Sequence, residues 1–186
     1  MTLESGTLVP YYLDEEKGWA VDAETLIESI KKARNEGTII RALVAINPGN
    51  PTGQVLKREC LETMVKICYE ENIMLVADQV YQENIYKEGL KFVSMKKIMH
   101  DLGDPYWSNV ELISMHSVSK GLLGECGLRG GYAECVNFST RAKEMMYKLK
   151  SINLCSNTIG QIATGLMCHE PIRGRESDEC MDLYEA

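Results

Sequence analysis

Three short polar clusters, each closing an apolar run, hold most of the residues in this 186-residue chain that could do chemistry. After Ile39 to Ile46 come Asn47-Pro48-Gly49-Asn50-Pro51-Thr52-Gly53. After Ile73 to Ala77 come Asp78-Gln79-Val80-Tyr81, and after Glu111 to Met115 come His116-Ser117-Val118-Ser119-Lys120. Arg129 follows Lys120 within a glycine-rich stretch. A ligand with a pyridine nitrogen, a phenolate oxygen, a phosphate and an aldehyde would find a partner here for each group. A carboxylate such as Asp78 can keep a pyridine nitrogen protonated, which makes the ring an electron sink. Tyr81 and Asn50 can donate to the phenolate oxygen and stabilise its charge. Ser117 and Ser119 can donate to phosphate, and Arg129 adds a planar, permanently charged fork. The Lys120 amine can condense with the aldehyde and, once displaced, move a proton to and from a neighbouring carbon.

Taken singly, each of these residues has a plainer use. A lone lysine is a solvated side chain, Asp78 a strand-end turn residue or helix cap, Tyr81 a packing residue and Arg129 a surface ion-pair partner. Asn-Pro-Gly-Asn-Pro-Thr-Gly is a good turn sequence in its own right. Only the order and spacing of the clusters call for more. Ser117 to Lys120 also matches the S-x-x-K pattern of acyl-transfer enzymes, but neither S-D-N nor K-T-G occurs in the chain. No G-x-G-x-x-G and no G-x-x-x-x-G-K-[ST] is present, so dinucleotide and nucleoside-triphosphate loops are unsupported. Gly121, Gly124, Gly127, Gly130 and Gly131 let the backbone pass close to a phosphate and turn into a next strand.

The elements that must position these groups follow from periodicity. Asp22 to Asn35 has an Asp cap, apolar positions at helical spacing and a closing Gly37. Lys57 to Glu71 is helical by Leu61, Val65 and Cys68; Ser139 to Ser151 and Asn157 to Cys168 read as helices too. Thr7 to Leu13 reads as an opening strand. Apolar strands separated by helices predict an α/β fold, a mainly parallel sheet with helices on both faces. Ligands of such sheets gather at the carboxyl ends of the strands, where the three polar clusters lie. Tyr11, Tyr12, Trp19 and Trp107 are expected to pack, and the methionines to fill core gaps.

Composition narrows the classes of partner. With 45% hydrophobic residues the chain can bury a core of its own. Acidic residues number 27 against 20 basic ones, a net charge of -7, which argues against nucleic acid and anionic membranes. Cys60, Cys68, Cys126, Cys135, Cys155, Cys168 and Cys180 form no C-x-x-C pair; they are expected as reduced thiols, mostly in the core, in a cytosol-like, cytoplasmic compartment. His100, His116 and His169 match no zinc spacing, so no metal is expected. The amino terminus lacks a basic n-region and an apolar h-region.

The blocks NPGNPTGQVL, ADQVY and SVSKGLLGECGLRGGY, in this order and at these separations, resemble the signature blocks of fold-type I aminotransferases. GECG followed by Arg129-Gly130-Gly131-Tyr132, with GTLVPYYL and INLCSN, is most similar to the alanine aminotransferase group. The resemblance implies a three-layer αβα large domain, pyridoxal 5'-phosphate as cofactor and transfer of an amino group from alanine to 2-oxoglutarate, giving pyruvate and glutamate. It implies a Schiff base on Lys120, Asp78 at the pyridine nitrogen, Asn50 and Tyr81 at the phenolate, and Ser117 and Arg129 at the phosphate, with Ser119 a further candidate there. It also implies a cis bond before Pro51, a homodimer, and small amino acids and 2-oxo acids as substrates. The motifs run to about His169, so residues 1–170 are expected to form part of the large domain and 171–186 to start the connection to a small domain. Family members place a glycine-rich phosphate-binding helix start and a ring-stacking aromatic residue upstream of such a segment, and a carboxylate-gripping arginine downstream. The same cofactor contacts serve other fold-type I aminotransferases and lyases, and a truncated chain could keep the fold without turnover.

Overall fold

The structure, a computed structural model, describes residues 6–121 and 123–169. A two-stranded antiparallel ribbon, β1 (Leu13–Asp14) and β2 (Ala20–Val21), leads into helix α1 (Ala23–Asn35). The main sheet then builds in chain order: β3 (Ala42–Ile46), α2 (Arg58–Glu70), β4 (Met74–Asp78), α3 (Met95–Leu102), α4 (Tyr106–Asn109), β5 (Leu112–Ser117) and β6 (Gly131–Val136). Helices α5 (Thr140–Lys150) and α6 (Thr158–Met167) close the described chain. Strands β3, β4 and β5 are parallel neighbours and β6 joins β5 antiparallel, so the sheet is mixed but mainly parallel, as expected.

Local sequence accounts for the helix ends. The Asp22 carboxylate accepts from the Thr25 N–H at 3.0 Å and caps α1, whose buried Leu26, Ile30 and Ala33 recur at helical spacing. Helix α2 turns Leu61, Met64, Val65, Ile67 and Cys68 inward. The Ser94 hydroxyl caps α3, and Met95, Ile98 and Met99 are buried beneath it. Sequence periodicity did not single out α3 or α4, both shorter than the other helices on this face. Met95 and Met99, expected as gap fillers, are fully enclosed core residues with 2% and 0% exposure.

These helices cover the sheet face that carries Leu43, Ala45, Leu75, Ala77 and Leu112, and together they make one core. Each leucine among them contributes roughly 1.5–3 kcal/mol on leaving water. On the alternate face Val44 and Ile46 are 46% and 39% exposed. Strand β3 lies at the sheet edge, and the Tyr11 hydroxyl donates to its Val44 carbonyl at 2.8 Å. Burial pushes the Tyr11 phenol up to about 12, so it remains a donor across the physiological range.

Several expectations need correction. Residues 6–12 are not a strand, because their backbone finds no pairing partner; only Leu13 and Asp14 pair, with the β2 ribbon. Tyr12 is 74% exposed rather than packed, whereas Tyr11 and Trp107 pack against the core. Only Cys68 among the described cysteines is buried; Cys126, Cys155 and Cys168 are exposed because the elements after β5 bury little surface. The six described cysteines are free thiols. Cys180 and the expected connection over 171–186 lie outside the described residues.

Candidate active site

Because β3, β4 and β5 run parallel, their carboxyl ends share one edge of the sheet. Asn47 follows β3, Asp78 ends β4 and Ser117 ends β5, so the three polar clusters emerge side by side. Strand β6 runs the other way and begins opposite Ser117, at the Ser117 to Gly131 pairing, which brings the Arg129 turn to the same edge. Four strands thus gather Asn50, Asp78, Tyr81, Ser117, Ser119, Lys120 and Arg129.

Within that edge one group is tightly assembled. The Asn50 side-chain amide donates to the Tyr81 hydroxyl at 3.3 Å, and the Lys120 Nζ stands over the Tyr81 ring, 5.5 Å from its centroid. An oxygen placed beside Asn50 and Tyr81 would therefore receive both donors near the Lys120 amine. Asn50–Pro51 is cis, as expected, and so are Asn47–Pro48 and Asp104–Pro105. Half-buried Asp78 accepts from the Val80 N–H at 3.3 Å through one carboxylate oxygen. The Ser117 hydroxyl donates to the Gly130 carbonyl at 3.0 Å and accepts from the Ser119 N–H at 3.0 Å. Its proton therefore ties β5 to the Arg129 turn, a positioning use beyond the phosphate contact expected from sequence. Arg129 adopts a left-handed backbone, φ 51 and ψ 46, and its Nη1 donates to the Cys126 carbonyl at 2.9 Å.

The supports of this edge were not recognised from sequence. Asn47, 4% exposed, accepts from the Leu56 N–H at 2.9 Å and so spans the whole loop that carries Asn50. Gln79, 7% exposed, accepts from the Met95 N–H at 3.1 Å and fixes the start of α3 beside the Asp78 turn. Each is a polar residue just past a buried apolar run, where unpaired backbone donors must be satisfied, and that position is the sequence signal. Helix α6 seats directly on the Arg129 turn: the Asn157 amide donates to the Leu128 carbonyl, and a Cβ added at Gly160 would lie 2.4 Å from that same oxygen. A cleft of about 500 Å³ adjoins Asn50, lined also by Tyr12, Trp19 and Ile46, while the other candidate residues border the open edge.

The chain is similar to known proteins in sequence and in fold. The chain matches the family model of the aminotransferase class I and II family over residues 1–184, past the point near His169 where the recognisable motifs stop. It is 49% identical over 183 residues to a probable mitochondrial alanine aminotransferase of Dictyostelium discoideum, covering 98% of this chain and 34% of that protein. It is 47% identical over 174 residues to glutamate–glyoxylate aminotransferase 1 of Arabidopsis thaliana, covering 94% and 36% respectively. Among solved structures, an aminotransferase from Escherichia coli superposes with a TM-score of 0.69 at 27% identity, over 87% of this chain and 37% of that one. Alanine aminotransferase from Pyrococcus furiosus gives 0.67 at 28%, over 87% and 38%. The chain therefore spans about a third of the length of these relatives and shares their αβα fold. On the strength of a match running through nearly all of its residues, the chain belongs to the class I and II aminotransferases.

Proposed function

We propose that this chain is the cofactor-binding part, residues 1–170, of an enzyme that uses pyridoxal 5'-phosphate to move an amino group from alanine to 2-oxoglutarate. The single observation that carries the reading is the trio of Asn50, Tyr81 and Lys120, with 3.3 Å between the first two and the amine 5.5 Å from the phenol ring. Such a donor pair beside an amine suits a ligand that presents a phenolate oxygen next to an aldehyde. When bound, the cofactor supplies that aldehyde and a ring able to accept electron density from an adjoining carbon.

The chain's own residues divide the remaining work. Asp78 would hold a proton on the pyridine nitrogen, and Asn50 and Tyr81 would orient the ring through its phenolate. Arg129, Ser117 and Ser119 would anchor the phosphate. Lys120 would hold the cofactor covalently at rest; once displaced by an amino acid, its freed amine would take the proton from the substrate Cα and deliver it to the cofactor carbon across the substrate nitrogen. The names of the relatives at 47–49% identity support alanine as donor. They also support a second reading, glutamate with glyoxylate, because one relative at 47% carries that name. A homodimer and a cytoplasmic location complete the proposal, with a mitochondrial location the alternative that the names of several relatives support. Among the described residues no helix is long and apolar enough to cross a membrane.

Substrate profiling of the full-length protein tests this reading. Alanine with 2-oxoglutarate is expected to give the highest kcat/KM against aspartate, aromatic amino acids and kynurenine as donors. A higher value for glutamate with glyoxylate would instead establish the second reading, and turnover with none of these pairs would overturn both.

A further inference from the structure

We infer that Asn84 is a positioning residue that sets the direction of the Lys120 amine, by joining the Tyr81 turn to the Lys120 turn. The inference rests on the reading of Lys120 as the cofactor lysine and adds a residue to it. The Asn84 N–H donates to the Tyr81 carbonyl at 2.9 Å and closes the turn that carries the phenol. The Asn84 side-chain oxygen then accepts from the Gly121 N–H at 3.2 Å, one peptide beyond Lys120. Its side-chain nitrogen donates to the Tyr86 hydroxyl at 2.9 Å, which anchors the far side of the amide, while the donor-only Gly121 N–H sets which atom faces it. One residue therefore grips both the backbone of Tyr81 and the peptide next to Lys120.

Within its own turn the same peptide makes one further bond, the Lys120 carbonyl accepting from the Gly124 N–H at 3.3 Å, while the Asn84 bond ties it to another turn. Gly121 has φ +63, in the left-handed region, and Gly124 follows at φ +60. Among the described residues, the Asn84 to Gly121 bond is the one side-chain hydrogen bond between the 79–87 turn and the 117–124 turn. Lys120 is exposed, so packing does not choose its rotamer. A bond to the following N–H fixes the plane of the Lys120–Gly121 peptide, and through it the direction in which the side chain leaves the backbone. The amine then stands over Tyr81 rather than turning to solvent. Asn84 touches no reacting atom; it acts through the backbone.

The test uses the full-length protein, in apo form and loaded with pyridoxal phosphate. In Asn84→Ala the rate at which Lys120 of the apoprotein is acylated by an amine-selective reagent, followed by peptide mass spectrometry, should depart from the wild-type rate while the rates of the other lysines do not change. The apparent Kd for pyridoxal phosphate should rise about tenfold, roughly 1.4 kcal/mol. Asn84→Asp keeps an oxygen for the Gly121 N–H and should restore cofactor affinity. Tyr86→Phe, at a residue 86% exposed and safe for folding, removes one of the two anchors of the Asn84 amide and should weaken the cofactor about threefold. Wild-type acylation and cofactor binding in both Asn84→Ala and Tyr86→Phe would overturn the inference, as would an Asn84→Asp variant as impaired as Asn84→Ala. If Lys120→Ala itself retained covalent cofactor, the reading beneath would fail, an outcome distinct from a silent Asn84.

Discussion

His116 is held by the same turn that carries Lys120, yet it is 7% exposed and faces inward, with its ring edge-on to Tyr132 at 5.9 Å between centroids. Burial holds its imidazole below the ordinary value of 6.5, against the opposing pull of Glu83, Asp78 and the Gln79 backbone. The folded state therefore favours the neutral ring. The stability that follows is fully present above about 6.5 and is lost as pH falls through the folded value. Thermal unfolding of the wild type between pH 8 and 5 should thus show a steeper loss below about 6.5 than His116→Gln. Parallel curves would show that the ring is not held neutral by its surroundings. The residue scale also marks where sequence reading stopped. Asn50, Asp78, Tyr81 and Lys120 were legible because the chemistry needs their functional groups in a fixed order. Asn47, Gln79 and Asn84 were not, because an amide that satisfies backbone donors has no distinctive spacing, and any polar residue after a strand can do it.

Among the elements, those with strong periodicity appeared within a residue or two of their expected ends, except β3, which begins at Ala42, three residues after the expected Ile39. Helices α1 and α2 and strands β3, β4 and β5 each have buried positions that repeat at 3.6 or 2. Helix α3 escaped notice although Ser94 caps it and Met95, Ile98 and Met99 form its stripe, because eight residues give too short a repeat. Residues 7–13 misled in the other direction: they are apolar enough for a strand, but of these only Leu13 finds a ladder partner, Val21. Packing between elements was beyond the reach of periodicity. Helix α6 lies so close to the Arg129 turn that a Cβ at Gly130 would fall 2.2 Å from the Gly160 carbonyl. Gly160→Ala should therefore push α6 off this turn, costing roughly 1–3 kcal/mol in chemical denaturation and weakening the phosphate end of the cofactor site. Full retention of stability would mean that α6 can shift without disturbing residues 128–130.

At the scale of the whole molecule, the described chain is uneven. One well-buried core joins α1, α2 and α3 to β3, β4 and β5, and it supplies the rigid edge from which the three polar loops emerge. Beyond β5 the burial thins: Tyr147, Ile152, Leu154 and Leu166 are 77%, 72%, 90% and 69% exposed on α5, α6 and the turn between them. A monomeric soluble protein seldom leaves so many large apolar side chains open together, and a chain spanning about a third of its relatives' length is the setting in which they occur. The edge proposed to hold the cofactor lies where these two regions meet, with Lys120 from the first and Arg129 from the turn that α6 supports. The account depends on Lys120 being the residue that holds the cofactor, and borohydride reduction of the full-length protein loaded with pyridoxal phosphate, followed by peptide mapping, tests this most directly. The account predicts one reduced phosphopyridoxyl group, on Lys120; a label on any other lysine, with Lys120 unmodified, would contradict it.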